Sequence, residues 1–319
     1  MNKILITGST GFVGQKLCKK LILDNYSIRE AVRSNSEKRL DKREVFNIGD
    51  IDKNTNWSAS LQDIDCVIHC AARAHVMNEN KLDTLATYRK VNVDGTRNLA
   101  EQCAKAGVKR LIFLSSIKVN GEKTKASFSF RHDDNPKPED TYGISKWEAE
   151  LALQRVSKKY GIEIVIIRAP LVYGPNVKGN FLKLINLAAH RIPLPISKVN
   201  NIRSFVSVEN LIDLISCCIK HPAAAGKIFL VSDNKDMSTP ELIKKIGKAM
   251  GKSQYFIPLP VFILRFLCAI IGKSSEIDRL VSNLQVDCNN TFEVLGWRPP
   301  VNPDDAILKT IKWYLNQND

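Results

Sequence analysis

The first seventeen residues constrain the fold of this chain more than any other stretch. Lys3–Thr7 is a short apolar, β-branched run that ends in a glycine series, Gly8, Gly11 and Gly14. The pattern is typical of a strand buried on both faces and followed by a helix. These glycines permit a tight turn, let backbone N–H groups approach a pyrophosphate, and let the helix pack closely on the sheet. Glycines also punctuate ordinary turns, but their place between a strand and a helix predicts a dinucleotide-binding turn.

Short apolar runs alternate with helical stretches through the first half of the chain. We predict further strands at Ser27–Val32, Val45–Ile48, Cys66–His69, Arg110–Ser115 and Ile162–Arg168, with helices near Asn56–Leu61, Lys81–Ala106 and Tyr142–Tyr160. Repeated βα units predict an α/β, Rossmann-type doubly wound parallel sheet. The irregular, proline-rich sequence after Arg168 predicts a smaller, interleaved α/β substrate lobe. We assign residues 1–169 and 201–231 to the dinucleotide-binding domain, and residues 170–200 and 232–319 to the lobe.

The formal net charge of +14 limits the classes of molecule that the chain is expected to bind. Its 47 Lys and Arg residues are dispersed, without a polybasic block, which argues against nucleic-acid binding. The charge instead favours an anionic nucleotide ligand, or loose association with an anionic membrane face. The N-terminal residues lack the features of a signal peptide, so we expect a cytoplasmic protein.

The cysteines and histidines predict neither a disulfide framework nor a metal site. The eight cysteines lie mostly in apolar surroundings with no paired CxxC set, and the five histidines are scattered. Such cysteines are typically reduced core thiols. We therefore expect no metal cofactor.

The end of the second predicted strand bears on the choice of cofactor. An acid at this place usually accepts from the ribose 2′-hydroxyl of NAD, whereas arginine meets the 2′-phosphate of NADP. The sequence here is Ala31-Val32-Arg33, with no acid. An arginine at a strand end is often only solvated, but Arg33 favours NADP slightly over NAD.

The segment Tyr142–Lys146 is the candidate chemical centre. Residues four apart share a helix face, so the Lys146 ammonium is expected near the Tyr142 phenol, where it lowers the pKa of the tyrosine. Such a tyrosine exchanges a proton with a substrate hydroxyl near neutral pH. Ser115 and Ser116 close a predicted strand at the same rim. A surface helix beginning YxxxK arises readily by chance, but the glycine turn and the serine-tipped strand favour the catalytic interpretation.

These motifs together resemble the extended short-chain dehydrogenase/reductases of the nucleotide-sugar epimerase/dehydratase family. The resemblance covers essentially the whole chain and is carried by Thr7–Gly14, Gly49–Ile51, His69–Ala72, Val91–Thr96, Ser115–Gly121, Tyr142–Lys146, Arg168–Pro175, Arg203–Leu211 and Leu295–Pro299. It implies Ser116, Tyr142 and Lys146 as catalytic residues. It also implies a homodimer formed through the helices Lys81–Ala106 and Tyr142–Tyr160.

The resemblance also assigns binding residues. Asp50 and Ile51 would flank the adenine, and Asn92 would support the active-site backbone. The cofactor set it implies is Gly8, Thr10, Gly11, Phe12, Val13, Gly14, Arg33, Asp50, Ile51, Ala71, Ala72, Asn92, Lys146 and Pro170. The diphosphate of a UDP-sugar would be held by Asn180 and Arg203, with Arg279 as a possible second clamp.

Departures from the family pattern narrow the reaction. Ile117 and Lys118 replace the acid pair typical of dehydratases, which argues against dehydration, and Asn120 replaces a usual aromatic residue. The segments around the serine and the tyrosine resemble bacterial enzymes acting at C4 of UDP-N-acetylated hexosamines in polysaccharide synthesis. The NADP preference favours a 4-keto-reductase of a UDP-4-keto-6-deoxy-N-acetylhexosamine, with a 4-epimerase of UDP-glucose or UDP-N-acetylglucosamine as the alternative.

Three further possibilities stay open. In the apolar stretch Phe256–Ile271, the helical portion after Pro260 is too short to span a bilayer and carries Arg265. It is either a buried lobe helix or an interfacial helix suited to an epimerase of a polyprenyl-diphosphate-linked sugar. Outside this class, the chain could be a cofactor-binding scaffold or sensor, or an RNA-associated member of the family. The intact Ser116, Tyr142 and Lys146 argue against a scaffold.

Overall fold

The computed structural model describes residues 2–34, 44–74, 84–190, 192–270, 272 and 274–317. The strands within these ranges are β1 Lys3–Thr7, β2 Ser27–Val32, β3 Glu44–Asn47, β4 Cys66–His69, β5 Arg110–Ser116, β6 Glu163–Ala169, β7 Leu171–Tyr173, β8 Phe205–Ser207 and β9 Ile228–Leu230. The α-helices are α1 Phe12–Leu23, α2 Thr84–Arg89, α3 Thr96–Lys105, α4 Thr141–Tyr160, α5 Gly179–Ala189, α6 Val208–Lys220, α7 Thr239–Ala249, α8 Val261–Ile270, α9 Ser274–Val281, α10 Asn289–Leu295 and α11 Pro303–Leu315.

Seven strands form one parallel sheet in the order β3-β2-β1-β4-β5-β6-β9. Successive strand residues point to opposite faces, so Ile4 and Ile6 enter one apolar core while Leu5 enters the other. Helices α1 and α6 cover the first face, and α3 and α4 cover the second. The predicted α/β, doubly wound parallel sheet is confirmed.

A third apolar core lies outside the main sheet. It joins α5, α7 and α11 to the short parallel pair β7 and β8. The core draws mainly on residues 173–199 and 237–315, which largely coincide with the predicted substrate lobe. The domain boundaries themselves remain our proposal.

Asp233 links this third core to the main sheet. Its buried carboxylate accepts hydrogen bonds from the Tyr173 hydroxyl (2.7 Å), the Ser207 backbone N–H (2.8 Å) and the Asn210 side-chain amide (2.6 Å). The Asn210 amide in turn donates to the Val301 carbonyl (2.9 Å) and accepts from its N–H (2.8 Å). Buried polar groups are thereby satisfied across four separate segments.

Two predicted helices differ from the structure. The stretch Asn56–Leu61 contains only a 3₁₀ turn at Ala59–Leu61. The predicted helix Lys81–Ala106 begins outside the described residues, and its described part is interrupted by the π-helical turn Lys90–Gly95 between α2 and α3. Such turns are frequent at functional sites.

Helix α8 is exposed along most of its surface. Of its residues only Leu264 is buried, whereas Phe262, Phe266 and Ile270 are 73%, 65% and 68% exposed. The prediction of a buried lobe helix over Phe256–Ile271 therefore does not describe α8; Ile271 lies outside the described residues. No helix in the described ranges is long and apolar enough to cross a membrane.

Candidate active site

The glycine turn after β1 has the geometry that its sequence predicts. Gly8 has a φ of +68°, and a Cβ added there would lie 2.7 Å from the Ala71 backbone nitrogen. A Cβ at Gly14 would overlap the Gly8 carbonyl oxygen, so only glycine lets α1 pack this closely on the turn. The Gly11 N–H donates to the same oxygen at 2.9 Å. Thr10, Gly11, Phe12 and Val13 lie at the start of α1.

This turn fits the diphosphate of a dinucleotide. The N-terminus of α1 has no side-chain cap and no acid in its first turn, which leaves N–H groups and a positive dipole end for an anion. The Ser9 hydroxyl is buried without a hydrogen-bond partner in the described part of the chain. Ala71 and Ala72 follow β4 beside Gly8, and the Ala71 N–H donates to the Thr7 hydroxyl (3.3 Å). The residues present therefore suit the cofactor that the motif predicts.

Arg33 and Asp50 lie together at the ends of the neighbouring strands β2 and β3. Their side chains form an ion pair (Nε–Oδ1 3.0 Å) and are 82% and 74% exposed. The Arg33 guanidinium is thus already engaged by a carboxylate. Ile51, the next residue, packs against Gly95, where a Cβ would lie 2.5 Å from the Ile51 Cγ2.

Asn92 lies in the π-helical turn and connects two parts of the site. Its side-chain amide accepts from the Arg73 N–H (2.8 Å) and donates to the Arg73 carbonyl (3.1 Å) and the Ser145 hydroxyl (2.9 Å). Ser145 donates to the Tyr142 carbonyl (2.8 Å). Asn92 therefore ties the segment after β4 to the first turn of α4, which accords with the backbone-supporting role that the resemblance implies.

Tyr142 lies in the first turn of α4. Asp140 caps this helix through the Gly143 N–H (2.7 Å) and forms an ion pair with Lys118. Burial of the phenol and the nearby Asp140 carboxylate raise the pKa of Tyr142. The predicted lowering of this pKa by Lys146 is therefore wrong for this structure.

Lys146 is 1% exposed, and its Nζ lies 3.7 Å from the centroid of the Phe113 ring, a cation–π contact. Burial lowers the pKa of Lys146 to about 7, although the Glu150 carboxylate acts to raise it. In the described residues the Lys146 Nζ forms no hydrogen bond with the Tyr142 hydroxyl. This explains why the predicted lowering of the Tyr142 pKa is missing.

Ser116 ends β5, and Pro170 follows β6 at the same carboxyl edge of the sheet. The Ser116 hydroxyl accepts from the Lys118 N–H (3.2 Å), so it caps the short 3₁₀ turn that follows. The turns after β1, β2, β4, β5 and β6 all open at this edge. Open α/β sheets bind their ligands there.

Arg203 and Arg279 converge although 75 residues separate them in sequence. The Arg203 Nη1 donates to the Ser282 carbonyl (2.8 Å), one turn beyond Arg279. Burial and the nearby Arg279 charge lower the pKa of Arg203 to about 10. Within the described ranges neither arginine has an ion-pair partner, so the two form a candidate anion clamp. Asn180 is half-buried in the first turn of α5.

Sequence reasoning missed one charged group close to this site. Glu150 and Arg168 form a fully buried ion pair below the strand end that carries Ser116. The spacing of Tyr142, Lys146 and Glu150, each four residues from the next, was the available signal because it places all three on one helix face.

Comparisons with known proteins agree with this geometry. The model of the NAD dependent epimerase/dehydratase family matches residues 4–232. A UDP-glucose 4-epimerase from Vibrio cholerae is 46% identical over 318 residues, covering 99% of this chain and 96% of the relative. An N-acetyl-α-D-glucosaminyl-diphospho-ditrans,octacis-undecaprenol 4-epimerase from Escherichia coli O157:H7 is 28% identical, covering 89% of this chain and 84% of the relative. The crystal structure of UDP-glucuronic acid 4-epimerase from Bacillus cereus in complex with NAD is 24% identical, with a TM-score of 0.79, and covers 99% of this chain and 100% of that one.

Proposed function

Because the chain belongs to the NAD-dependent epimerase/dehydratase family, we propose that it is a nucleotide-sugar 4-epimerase that retains NAD. One observation carries this proposal: the full-length similarity, at 46% identity, to a UDP-glucose 4-epimerase. The serine-tipped strand and the Tyr142–Lys146 helix face at the carboxyl edge of the sheet support it. Similarity of this extent favours epimerisation over the keto-reductase reaction predicted from Arg33.

The chain supplies the groups that such a reaction needs. Tyr142 takes the proton from the C4 hydroxyl of the sugar and later returns it, while Ser116 hydrogen-bonds the same oxygen. Lys146 would favour the ionised phenol once bound cofactor and substrate bring its ammonium to the Tyr142 hydroxyl, because in this structure the pKa of Tyr142 is raised. Arg203 and Arg279 hold the diphosphate. NAD held at the glycine turn after β1 would supply reversible hydride transfer at C4, for which no external reductant is needed.

NAD fits the end of β2 better than NADP does. Arg33 faces Asp50 in an exposed ion pair. The Asp50 carboxylate competes with a 2′-phosphate for the Arg33 guanidinium, which weakens the support for NADP. The Bacillus cereus epimerase was crystallised with NAD. We therefore propose NAD in place of the slight NADP preference.

An assay with the purified protein tests the reaction and the cofactor together. We expect UDP-glucose or UDP-N-acetylglucosamine to be converted to its C4 epimer with NAD alone, without change in absorbance at the reduced-nicotinamide band. Stoichiometric oxidation of NADPH on addition of a UDP-4-keto-6-deoxy-N-acetylhexosamine would overturn the epimerase proposal and support the keto-reductase. Protein that binds NAD but turns over neither these sugars nor the polyprenyl-diphosphate-linked sugar considered below would point to a scaffold.

Replacement of Arg203 by alanine tests the anion clamp. The loss of charge-assisted hydrogen bonds to a diphosphate is expected to weaken UDP binding by about 10- to 100-fold. NAD affinity should remain unchanged. Isothermal titration with UDP measures the effect, and Arg298→Ala serves as control because Arg298 stacks on Phe292 (4.7 Å) in α10 instead. Unchanged UDP affinity in Arg203→Ala would remove this arginine from the substrate site.

A second candidate substrate is a polyprenyl-diphosphate-linked sugar, and the exposed face of α8 is the observation that favours it. Helix α8 packs beside α9, which carries Arg279, and Arg265 of α8 forms an ion pair with Asp278 (3.2 Å). An apolar helix face in a positively charged protein is typical of interfacial membrane binding. If α8 lies in an anionic bilayer surface, Arg279 on the adjacent helix α9 is brought near that surface.

Vesicle sedimentation tests this second candidate. We expect binding to phosphatidylglycerol vesicles that decreases with salt and is lost in the double variant Phe262→Ser/Phe266→Ser. Phe128→Ser is the matched control, since Phe128 is 66% exposed elsewhere on the surface. Equal behaviour of the two variants, or no binding by the wild type, would remove the membrane-linked substrate from consideration.

The homodimer remains a prediction. Helices α3 and α4 pack together, and their outer surface forms a groove lined by Arg97, Glu101, Leu151, Arg155 and Tyr160. Sedimentation velocity of the purified protein measures the oligomeric state directly.

A further inference from the structure

A buried ion pair lies beneath the proposed catalytic residues. Arg168 of β6 and Glu150 of α4 are 1% and 0% exposed. The Arg168 Nη2 lies 2.6 Å from Glu150 Oε2, and its Nε lies 3.1 Å and 3.2 Å from the two carboxylate oxygens. Both partners are therefore fully removed from solvent and held in a multidentate arrangement.

The pair joins the elements that carry the proposed catalytic side chains. The Ser115 hydroxyl, one residue before Ser116 on β5, donates to Glu150 Oε1 (2.5 Å). The Arg168 Nη1 donates to the Asn120 side-chain oxygen (3.0 Å), and the Asn120 amide donates to the Arg131 carbonyl (2.8 Å). Asn120, which departs from the family pattern, is thus the residue that extends the pair into the turn after Ser116.

Glu150 and Lys146 share one face of α4, although no hydrogen bond or ion pair joins them in the described residues. The two residues are one turn apart on the face of α4 that also carries Tyr142. Buried ion pairs often stabilise a fold no better than apolar side chains of similar volume. Because this pair lies beneath the proposed catalytic residues, we expect it to act in the site as well as in packing.

We propose that Glu150, braced by Arg168 and Ser115, is a positioning residue that holds α4, the helix bearing Tyr142 and Lys146, against the β5 rim bearing Ser116. The proposal depends on the proposed function only for the catalytic roles of Lys146 and Ser116. Its structural content, that the Glu150 carboxylate ties α4 to β5 and β6 and acts on the charge of Lys146, is separately measurable.

The side chains around Lys146 determine which group can stabilise its charged form. From β4 the site is faced by His69 and Cys70, and from β5 by the Phe113 ring. Burial lowers the pKa of His69 to about 3 and raises the pKa of Cys70 to about 12, so both are neutral at pH 7. Tyr142 is also neutral at this pH because its pKa is raised. Of these neighbours, only Glu150 carries a negative charge that favours the lysine ammonium.

The variant Glu150→Gln removes this charge with little change in shape. In protein labelled with ¹⁵N-lysine, the Lys146 signal is assigned by its loss in Lys146→Met, and its titration is followed by NMR. We expect the Lys146 pKa to fall by about one unit or more. We expect kcat to fall by about 10- to 100-fold, with KM changed less than about threefold, because Lys146 and Ser116 are displaced.

A double variant separates positioning from stability. Glu150→Gln leaves Arg168 buried and unpaired, which destabilises the fold and can prevent its isolation. Glu150→Met/Arg168→Met removes both charges and keeps the side-chain volume, so the melting temperature should recover. The lowered Lys146 pKa and low kcat should persist. Glu148→Gln is the control, since Glu148 pairs with Arg89 (2.5 Å) at the surface of the same helix and should leave both unchanged.

Recovery of kcat and of the Lys146 titration in the double variant would overturn the proposal and leave the pair a packing feature. An unshifted Lys146 titration in Glu150→Gln would do the same. The NMR titration needs no turnover, so a wild type that epimerises no sugar would defeat the proposed function alone.

Discussion

Tyr142→Phe is expected to reduce kcat for epimerisation by about a thousandfold, because proton transfer by a positioned side chain contributes about 10²–10⁴ to the rate. The change removes one hydroxyl from a phenol whose pKa burial already raises, so the fold should not suffer. NAD and UDP affinities should stay within about twofold of the wild type, since neither is assigned to this hydroxyl. The measurement is steady-state epimerisation alongside titration with each ligand.

The control for this variant is Tyr160→Phe. Tyr160 is the last residue of α4 and is 39% exposed. It shares the helix and the chemistry of Tyr142 but lies at the opposite end, so its loss should not affect turnover. Retention of more than about a tenth of wild-type kcat by Tyr142→Phe would exclude the phenol as the acid–base group.

Gly14→Ala is expected to destabilise the protein by about 3 kcal/mol and to abolish NAD binding. A Cβ here overlaps the Gly8 carbonyl oxygen, which is backbone within the turn and cannot rotate away as a side chain would. Helix α1 must then move off the sheet, carrying with it the N–H groups proposed to meet the diphosphate. Urea denaturation and NAD titration measure the two effects.

Gly11→Ala provides the matched comparison. Its Cβ would lie 3.2 Å from the same Gly8 oxygen, and Gly11 has a φ of −80° that alanine adopts freely. Stability should change by less than about 1 kcal/mol, while NAD affinity falls because the methyl group occupies the path of the diphosphate. If Gly14→Ala melts like the wild type, the close contact of α1 with the turn is wrong. If Gly11→Ala keeps full NAD affinity, the diphosphate lies elsewhere.

The sheet was predictable because its signals are local. The apolar run Lys3–Thr7, the glycine spacing and the predicted strand Arg110–Ser115 are each recognised within a few residues, and the structure forms strands at Lys3–Thr7 and Arg110–Ser116. Parallel order then follows from alternation of strands and helices. Strands as short as Leu171–Tyr173 carry too little pattern to be recognised, so β7 and the helix α5 after it were read as irregular.

Features that depend on distant contacts were not predictable. The meeting of Arg203 with Arg279 joins segments far apart in sequence, and the resemblance alone suggested it. The predicted direction of the Tyr142 pKa shift is wrong because helix spacing does not show how deeply the phenol is buried. It also does not show where the lysine ammonium lies. Nine of the ten residues of α8 are apolar, so periodicity does not tell which face is exposed.

The junction at Asp233 has a consequence for how the chain reaches its native state during synthesis. Asn210 lies in a helix of the main sheet domain, and its side chain hydrogen-bonds the backbone of Val301. Val301 is synthesised about ninety residues after Asn210. Until then the Asn210 side-chain oxygen lacks the Val301 N–H as a donor, although its amide group can still donate to Asp233, and a chain that ends before Val301 would keep that deficit. The dinucleotide-binding half therefore depends on a distant segment of the chain for some of its hydrogen bonds, and a fragment that ends before Val301 would lack them.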